Sequence, residues 1–373
     1  MIDRVALLRL IRTEGVGPQT YRRLRARFDT PEEALAAIPA LARAGGRAKA
    51  PFVPSLGDIR RELDRFDKLG ATLLFMGEPD YPKLLSLLPD APPMIAVLGD
   101  VAILHRPIVA VVGARNASVN GCRVAADIAA ELAASGRPIA SGLARGIDAA
   151  AHVAALRTGT TIAAIPGGLD VVYPPEHKAL QAEIAERGAL IAEAPPGTAP
   201  MARHFPKRNR IIAGLALGVV VIEAALRSGS LITARYALDY GRELFAVPGS
   251  PLDARARGTN DLIRQGAHLT ESAMDVLLNL PDQPGALFAD ARIAPPPPGF
   301  AEPVAALESS ASELDRARRD IPRLLSASPV AVDELALHCQ FSPSALVAVL
   351  TELELAGRIE TLPGNKIGLL VAP

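Results

Sequence analysis

Tryptophan is absent from the 373-residue sequence, and five tyrosines and nine phenylalanines supply all of its aromatic rings. With rings this scarce, one placed among charges asks for a reason. Cysteine is nearly absent too. Cys122 and Cys339 stand far apart with no CxxC pair, which excludes a disulfide framework or thiolate zinc site and fits a reducing compartment. Net charge is missing as well: 40 basic residues balance 40 acidic ones, so any nucleic-acid site must be a local patch. The longest uncharged apolar run, Ile211 to Ile222, stops at Glu223, well short of the roughly 20 residues a membrane span needs. The N-terminus, MIDRVALLRLIR, is charged every few residues and predicts no signal peptide. A content of 49% hydrophobic and 21% charged residues argues against a disordered or fibrous chain. Together these features predict a soluble, cytoplasmic protein of two or three domains.

What is present divides the chain into four parts. Residues 1–70 read as short helices, interrupted at Gly15-Val16-Gly17-Pro18 by a hairpin of the helix-hairpin-helix kind, with 14 basic and nine acidic residues. Such a hairpin can turn backbone N–H groups toward a phosphate, or simply join two packed helices. From 71 to 280, glycine-bounded β-branched runs such as PIVAVVG and GVVVIEA alternate with helical stretches such as CRVAADIAAELAASG. Apolar runs without polar alternation are strands buried on both faces, so this part predicts an α/β, doubly wound, Rossmann-like parallel sheet. Residues 281–303, with ARIAPPPPGFAEP, read as a proline-rich linker. Residues 304–373 follow the winged-helix order of three helices and two short strands, with Ser342 as a cap and Pro343 opening the third helix. Ten acidic and six basic residues over 300–373 leave protein contact as plausible there as DNA readout.

In a doubly wound sheet, ligands sit beyond the carboxyl ends of the strands, where helix N-termini present unpaired N–H groups. The loops 113–118, 141–146, 166–168 and 227–230 each offer a glycine, a hydroxyl or an arginine, the vocabulary of anion binding. Arg115 stands where the dinucleotide fingerprint needs its second glycine, and no GK dipeptide occurs, so neither a nicotinamide or flavin cofactor nor a P-loop is expected. GxSxG and HExxH are absent and the histidines form no ligand cluster, so no catalytic residue, metal or cofactor is expected. His152, four residues after Asp148, reads as a helix-surface contact. Glu223 at the end of an apolar run reads as a general base or, preferably, as a carboxylate bonded to neighbouring backbone or arginine. The segment 201–210 packs Arg203, Lys207, Arg208 and Arg210 around Phe205 and Asn209, beside the apolar IIAGLAL. Cations for phosphates, a ring face for a base and an amide are the parts of a single-strand site. The competing expectation is a core phenylalanine beside salt-bridged arginines.

Six stretches, VAVVGARNAS, SGLARGIDAAAH, GGLDVVYPPEH, FPKRNRIIAGLA, EAALRSGSLITARYALDYGRELFAVPGS and GTNDLIRQGA, closely resemble in order the motifs of the DNA-processing protein A family (DprA, also called Smf). The resemblance is strong over residues 71–280, and the two outer segments resemble the outer domains of longer members. It implies a protein that is not an enzyme: one that binds single-stranded DNA, dimerises through the Rossmann-like domain and loads a RecA-type recombinase during natural transformation. Carried over by motif, the implied DNA-binding residues are Gly113, Arg115 and Ser118; Arg203, Phe205, Lys207, Arg208, Asn209 and Arg210; and Ser228, Gly229 and Ser230. One departure points elsewhere: Pro166 before Gly167-Gly168 resembles the lysine decarboxylase-like nucleoside-monophosphate phosphoribohydrolases. Their PGGxGTxxE signature is cut short here, without the glycine–threonine or the glutamate. A transcription regulator using the winged helix is a third reading, which the acidic balance after residue 300 opposes.

Overall fold

The computed structural model describes residues 3–281, 311–326, 328–362 and 365–370. It forms two compact units, one from residues 1–61 and 293–373 and the other from 62–292. Apart from Pro281, the expected proline-rich linker lies outside the described residues. The first unit opens with α1 (Arg4–Ile11), α2 (Pro18–Arg27) and α3 (Pro31–Ala44). Each start is written locally. Asp3 caps α1 by accepting from Val5 N at 2.8 Å, Pro18 follows Gly17 into α2, and Thr30 accepts from Glu33 N ahead of α3.

After α4 (Leu56–Leu69), the second unit is built on β1 (Thr72–Phe75), β2 (Met94–Gly99), β3 (Val109–Gly113), β4 (Ile139–Ser141), β5 (Thr161–Ala164), β6 (Ala189–Ala192), β7 (Gly218–Ile222), β8 (Glu243–Ala246) and β9 (His268–Leu269). Its helices are α5 (Lys83–Ser86), α6 (Val119–Ala134), α7 (Ile147–Thr158), α8 (Lys178–Arg187), α9 (His204–Leu215), α10 (Ser230–Asp239), α11 (Arg257–Arg264) and α12 (Ala273–Asn279). The sheet order is β1-β2-β6-β5-β4-β3-β7-β8-β9. Strands β3 to β9 run parallel, as the doubly wound pattern predicts. The first two strands do not: β2 pairs antiparallel with both β1 and β6. Between β1 and β2 the only α-helix is the single turn α5, too little for a parallel crossover.

Alternate residues of each central strand feed opposite cores. Val109 and Val111 of β3, with Val220 and Ile222 of β7, join the layer that includes Ile128, Leu132 and Ile147. Ala110, Val112, Val219 and Val221 join the layer that includes Ile211, Leu215 and Tyr236. Both faces are therefore covered, which is why these strands read as unbroken apolar runs. Strand order reverses between β3 and β7, and a crevice opens there beyond the strand ends.

The chain completes its first unit with α13 (Ala311–Leu324), α14 (Val332–His338) and α15 (Pro343–Leu355), and a small sheet of β10 (Val330–Ala331), β12 (Lys366–Leu369) and β11 (Ile359–Leu362). Ser342 caps α15 by accepting from Ala345 N at 3.2 Å, with Pro343 in the first turn. Ala317, Ile321, Leu335, Leu346, Leu350 and Ile367 form its core. Helix α15 also packs on α2 and α3. Its Glu354 accepts from the Thr20 hydroxyl and, at 3.4 Å, from Arg23, while Arg47 donates to Leu355 O at 3.3 Å. Gly15 and Gly17 of the hairpin lie against Leu355 and the Glu354 carboxylate, so of the two readings of this turn the packed one holds. The chain's own carboxylate stands beside that turn.

Candidate nucleic-acid interface

A cleft of about 710 Å³ lies at the β3/β7 reversal. The loop after β3 brings Gly113, Arg115 and Asn116, α9 brings Phe205, Arg208 and Asn209, and the loop after β7 brings Arg227, Ser228, Gly229 and Ser230. Gly113 has no alternative here, because a Cβ would overlap Ile222 O on the adjacent strand. Helical spacing sorts the cationic segment. Phe205, Arg208 and Asn209 stand three and four apart and share the cleft face, while Arg210, two residues on from Arg208, points the other way.

The two arginines have opposite surroundings. Arg210 is buried, donates to both oxygens of Glu193 at 2.7 and 2.6 Å, and also donates to Asp90 O. Burial alone lowers its pKa, but Glu193 and Asp90 outweigh that and raise it. Arg208 is 5% exposed, and its Nε has no hydrogen-bond partner. Burial lowers its pKa to about 10, with Asp148 opposing and Arg115 adding to the fall, so it stays charged at neutral pH. Its guanidinium lies over Gly142, where a Cβ would overlap Nη1. A desolvated cation without a full set of partners is costly unless a ligand completes it.

Asp148 and His152 are both buried, which corrects the expected helix-surface contact. Asp148 accepts from Gly142 N at 3.1 Å and Ala144 N at 3.3 Å. Burial raises its pKa, against Arg208 and those N–H donors. His152 Nε2 accepts from Leu143 N at 3.3 Å. Thr161 gives its hydroxyl proton to Ile139 O, so its Oγ1 accepts from His152 Nδ1–H at 2.7 Å. The imidazole is thus held neutral, and burial, then Arg208 and His177, lower its pKa to about 3. Together the two side chains brace a loop in which Leu143 adopts a φ of 54°. They hold the floor under Arg208.

Glu223 follows the preferred expectation. Ser118 donates to it from the backbone N at 2.8 Å and from the hydroxyl, and Ser118 Oγ accepts from Gly121 N at 2.8 Å. Ser118 is therefore already engaged as the cap of α6, and it does not line the cleft. At the other lip, Ser228 and Ser230 hydroxyls lie 2.7 Å apart at the start of α10, and Ser228 Oγ accepts from Ser230 N at 3.3 Å. Asn209 donates to Gly229 O at 3.3 Å and ties α9 to this lip. Arg203 and Lys207 are exposed near the start of α9, outside the lining. Phe205 is half-buried, with the Arg115 guanidinium 4.9 Å from its ring centroid and Tyr173 edge-on at 5.7 Å.

Sequence reasoning places Arg227 in the anion-binding loop 227–230 without singling it out, and it misses Arg255 and Tyr173. Arg227 had a usable signal, since it immediately precedes the Ser228-Gly229-Ser230 helix start. Arg255 had none, and it is paired with Asp253 at 2.8 Å. Among the described residues, Arg115, Arg208 and Arg227 line the cleft without a carboxylate at ion-pair distance. The arrangement can hold successive anionic groups, using cations on one wall and the hydroxyls and positive helix end at Ser228 and Ser230 on the other.

Comparison with known proteins agrees along the whole chain. A family model described as DNA recombination-mediator protein A matches residues 72–281. A DprA-like N-terminal HHH domain matches 2–64, and a DprA winged helix domain matches 305–365. Protein Smf of Synechocystis is 34% identical, with 95% of each chain covered. The DNA processing protein DprA of Streptococcus pneumoniae is 48% identical over 53% of this chain and 70% of its own. The X-ray structure of the S. pneumoniae protein superposes with a TM-score of 0.63 at 34% identity, covering 76% of this chain and all of that one. A Helicobacter pylori DNA processing protein A, whose structure is described as revealing a single-stranded DNA binding mode, gives a TM-score of 0.51 at 33% identity, covering 56% and 94%. The chain belongs to the DNA recombination-mediator protein A (DprA/Smf) family.

Proposed function

We propose that the protein binds single-stranded DNA in the β3/β7 cleft, as a recombination mediator and not as an enzyme. The observation that carries this reading is Arg208, buried and charged, with an unpartnered Nε, in the wall of a cleft that also offers Arg115, Arg227 and the hydroxyls of Ser228 and Ser230. The H. pylori relative, described as binding single-stranded DNA, supports it. Backbone phosphates are bound by Arg115, Arg208, Ser228, Gly229 and Ser230, and Arg203 and Lys207 extend the cationic track at the rim. Arg210 is assigned to the fold, through Glu193. Loading of a RecA-type recombinase on the bound strand, in natural transformation, and a homodimer through the sheet unit complete the proposal. Family membership is what supports both of these parts.

Two alternatives lose support. A phosphoribohydrolase needs a free catalytic carboxylate, whereas Glu223 after β7 is bound by Ser118 and Asp148 in the cleft wall accepts from Gly142 N and Ala144 N. A winged-helix regulator needs α15 in a major groove, but α15 packs on α2 and α3 and carries Glu352 and Glu354. The test is fluorescence anisotropy with single-stranded and duplex oligonucleotides at matched salt. Single-strand preference is expected, whereas equal affinities contradict it. For the recombinase, the expected result is faster filament assembly on strands coated by single-strand-binding protein; no acceleration removes that part.

A further inference from the structure

We propose that Glu223 is a positioning residue for DNA binding, its carboxylate fixing the loop that carries Arg115, an inference that rests on the single-strand reading above. Glu223 follows directly on β7, and its φ is 51°, in the left-handed region that residues with a side chain rarely adopt. Glycine would make that turn without strain. A glutamate there therefore needs a use for its side chain.

The use is a fastening. Glu223 reaches across to the loop after β3 and accepts from Ser118 N at 2.8 Å and from the Ser118 hydroxyl. At the other end of that loop, Ala114 N donates to Ile222 O at 3.4 Å. Residues 114–118 are thus held at both ends by two consecutive residues, Ile222 and Glu223, and Arg115 stands between the fastenings. Gly121 makes the seat for the carboxylate, since a Cβ there would come within 2.6 Å of Glu223 Cδ. The main chain leaving Glu223 runs on to Arg227, Ser228 and Ser230 at the other lip of the cleft. One residue therefore ties together the two lips between which phosphates are to lie. Arg115 depends on such a frame. Among the described residues no carboxylate meets it at ion-pair distance, and its guanidinium rests on the Phe205 ring, so its aim follows the backbone that carries it.

The test is anisotropy with an oligothymidylate, beside thermal melts, on variants of the full chain. Glu223→Ala should weaken binding about tenfold and flatten the salt slope by about 0.7, the loss of one phosphate contact. Combined with Arg115→Ala it should weaken binding by no more than about twofold further, because both changes remove the same contact. Glu223→Gln, whose amide oxygen can still accept from Ser118 N, should recover most of the loss. Gly121→Ala keeps the glutamate but fills its seat, and should weaken binding as Glu223→Ala does. Glu223→Gly relieves the backbone, so it should melt above Glu223→Ala yet bind as weakly, which separates aim from stability. Wild-type affinity and slope in Glu223→Ala, fully additive losses with Arg115→Ala, or recovered affinity in Glu223→Gly overturns the positioning role and leaves single-strand binding intact. A wild-type chain that shows no anisotropy change removes the single-strand reading, and the positioning role with it.

Discussion

Two glycine turns lie beside cations in this molecule, and they meet different fates. In the first unit, the turn at Gly15 and Gly17 faces α15, where Glu354 accepts from Thr20 and Arg23, and Arg318 donates to both oxygens of Glu352 at 2.8 Å. In the sheet unit, the loops around Gly113 and Gly229 open on a cleft where Arg208 is buried with an unpartnered Nε. Glycine turns with arginines thus mark anion sites in both units, but in one the anion is part of the chain. At these two turns, what separates packing from recognition is whether an internal carboxylate already meets the cations.

The largest effect that sharpens this contrast lies within α9. Arg210→Ala leaves Glu193 without its buried partner and should cost about 3–5 kcal/mol in denaturant melts. Arg208→Ala removes a charge with no carboxylate at ion-pair distance, so it should leave stability unchanged or raise it while lowering single-strand affinity. Equal destabilisation by the two variants breaks the distinction.

A smaller effect tests the brace beneath Arg208. His152 has a pKa of about 3 in the folded chain and about 6.5 when unfolded, so the unfolded state takes the proton first. Its stabilising contribution is complete above about pH 6.5 and is lost as pH falls toward 3. The slope is about 1.4 kcal/mol per pH unit, or roughly 2 kcal/mol between pH 6.5 and 5. Melts across this range should show that slope in the wild type, and a shallower one in His152→Gln.

An effect of similar size belongs to the first unit. Glu354→Ala leaves Thr20 and Arg23 short of an acceptor and should cost about 1–3 kcal/mol in the stability of that unit, read by hydrogen exchange in α2. Single-strand affinity should not change. A gain in affinity would mean that the hairpin competes for DNA once its carboxylate is gone.

The central sheet was legible because valine runs such as 109–112 and 219–221 are buried on both faces, and that burial writes an unbroken apolar pattern. The antiparallel start was not, because TLLF and MIAVLG carry no direction; only the short connection between them does. In the site, the motif loops converge as their glycines and hydroxyls suggest. The exchange of roles between Arg208 and Arg210 was hidden, since it depends on Glu193 and Asp90, far away in sequence. Asp148 and His152 were misread because four-residue spacing fixes a shared helix face but not what covers it.

The central claim is that the cleft's incompletely paired cations hold the strand by its phosphates. Its most direct test is the salt dependence of single-strand affinity in the wild type beside Arg208→Ala, measured by anisotropy. With about three to five phosphates neutralised, log affinity should fall with log salt at a slope of roughly −2 to −3.5. Arg208→Ala should bind more weakly and flatten that slope by about 0.7. Equal affinity and equal slope in the two proteins would contradict the account.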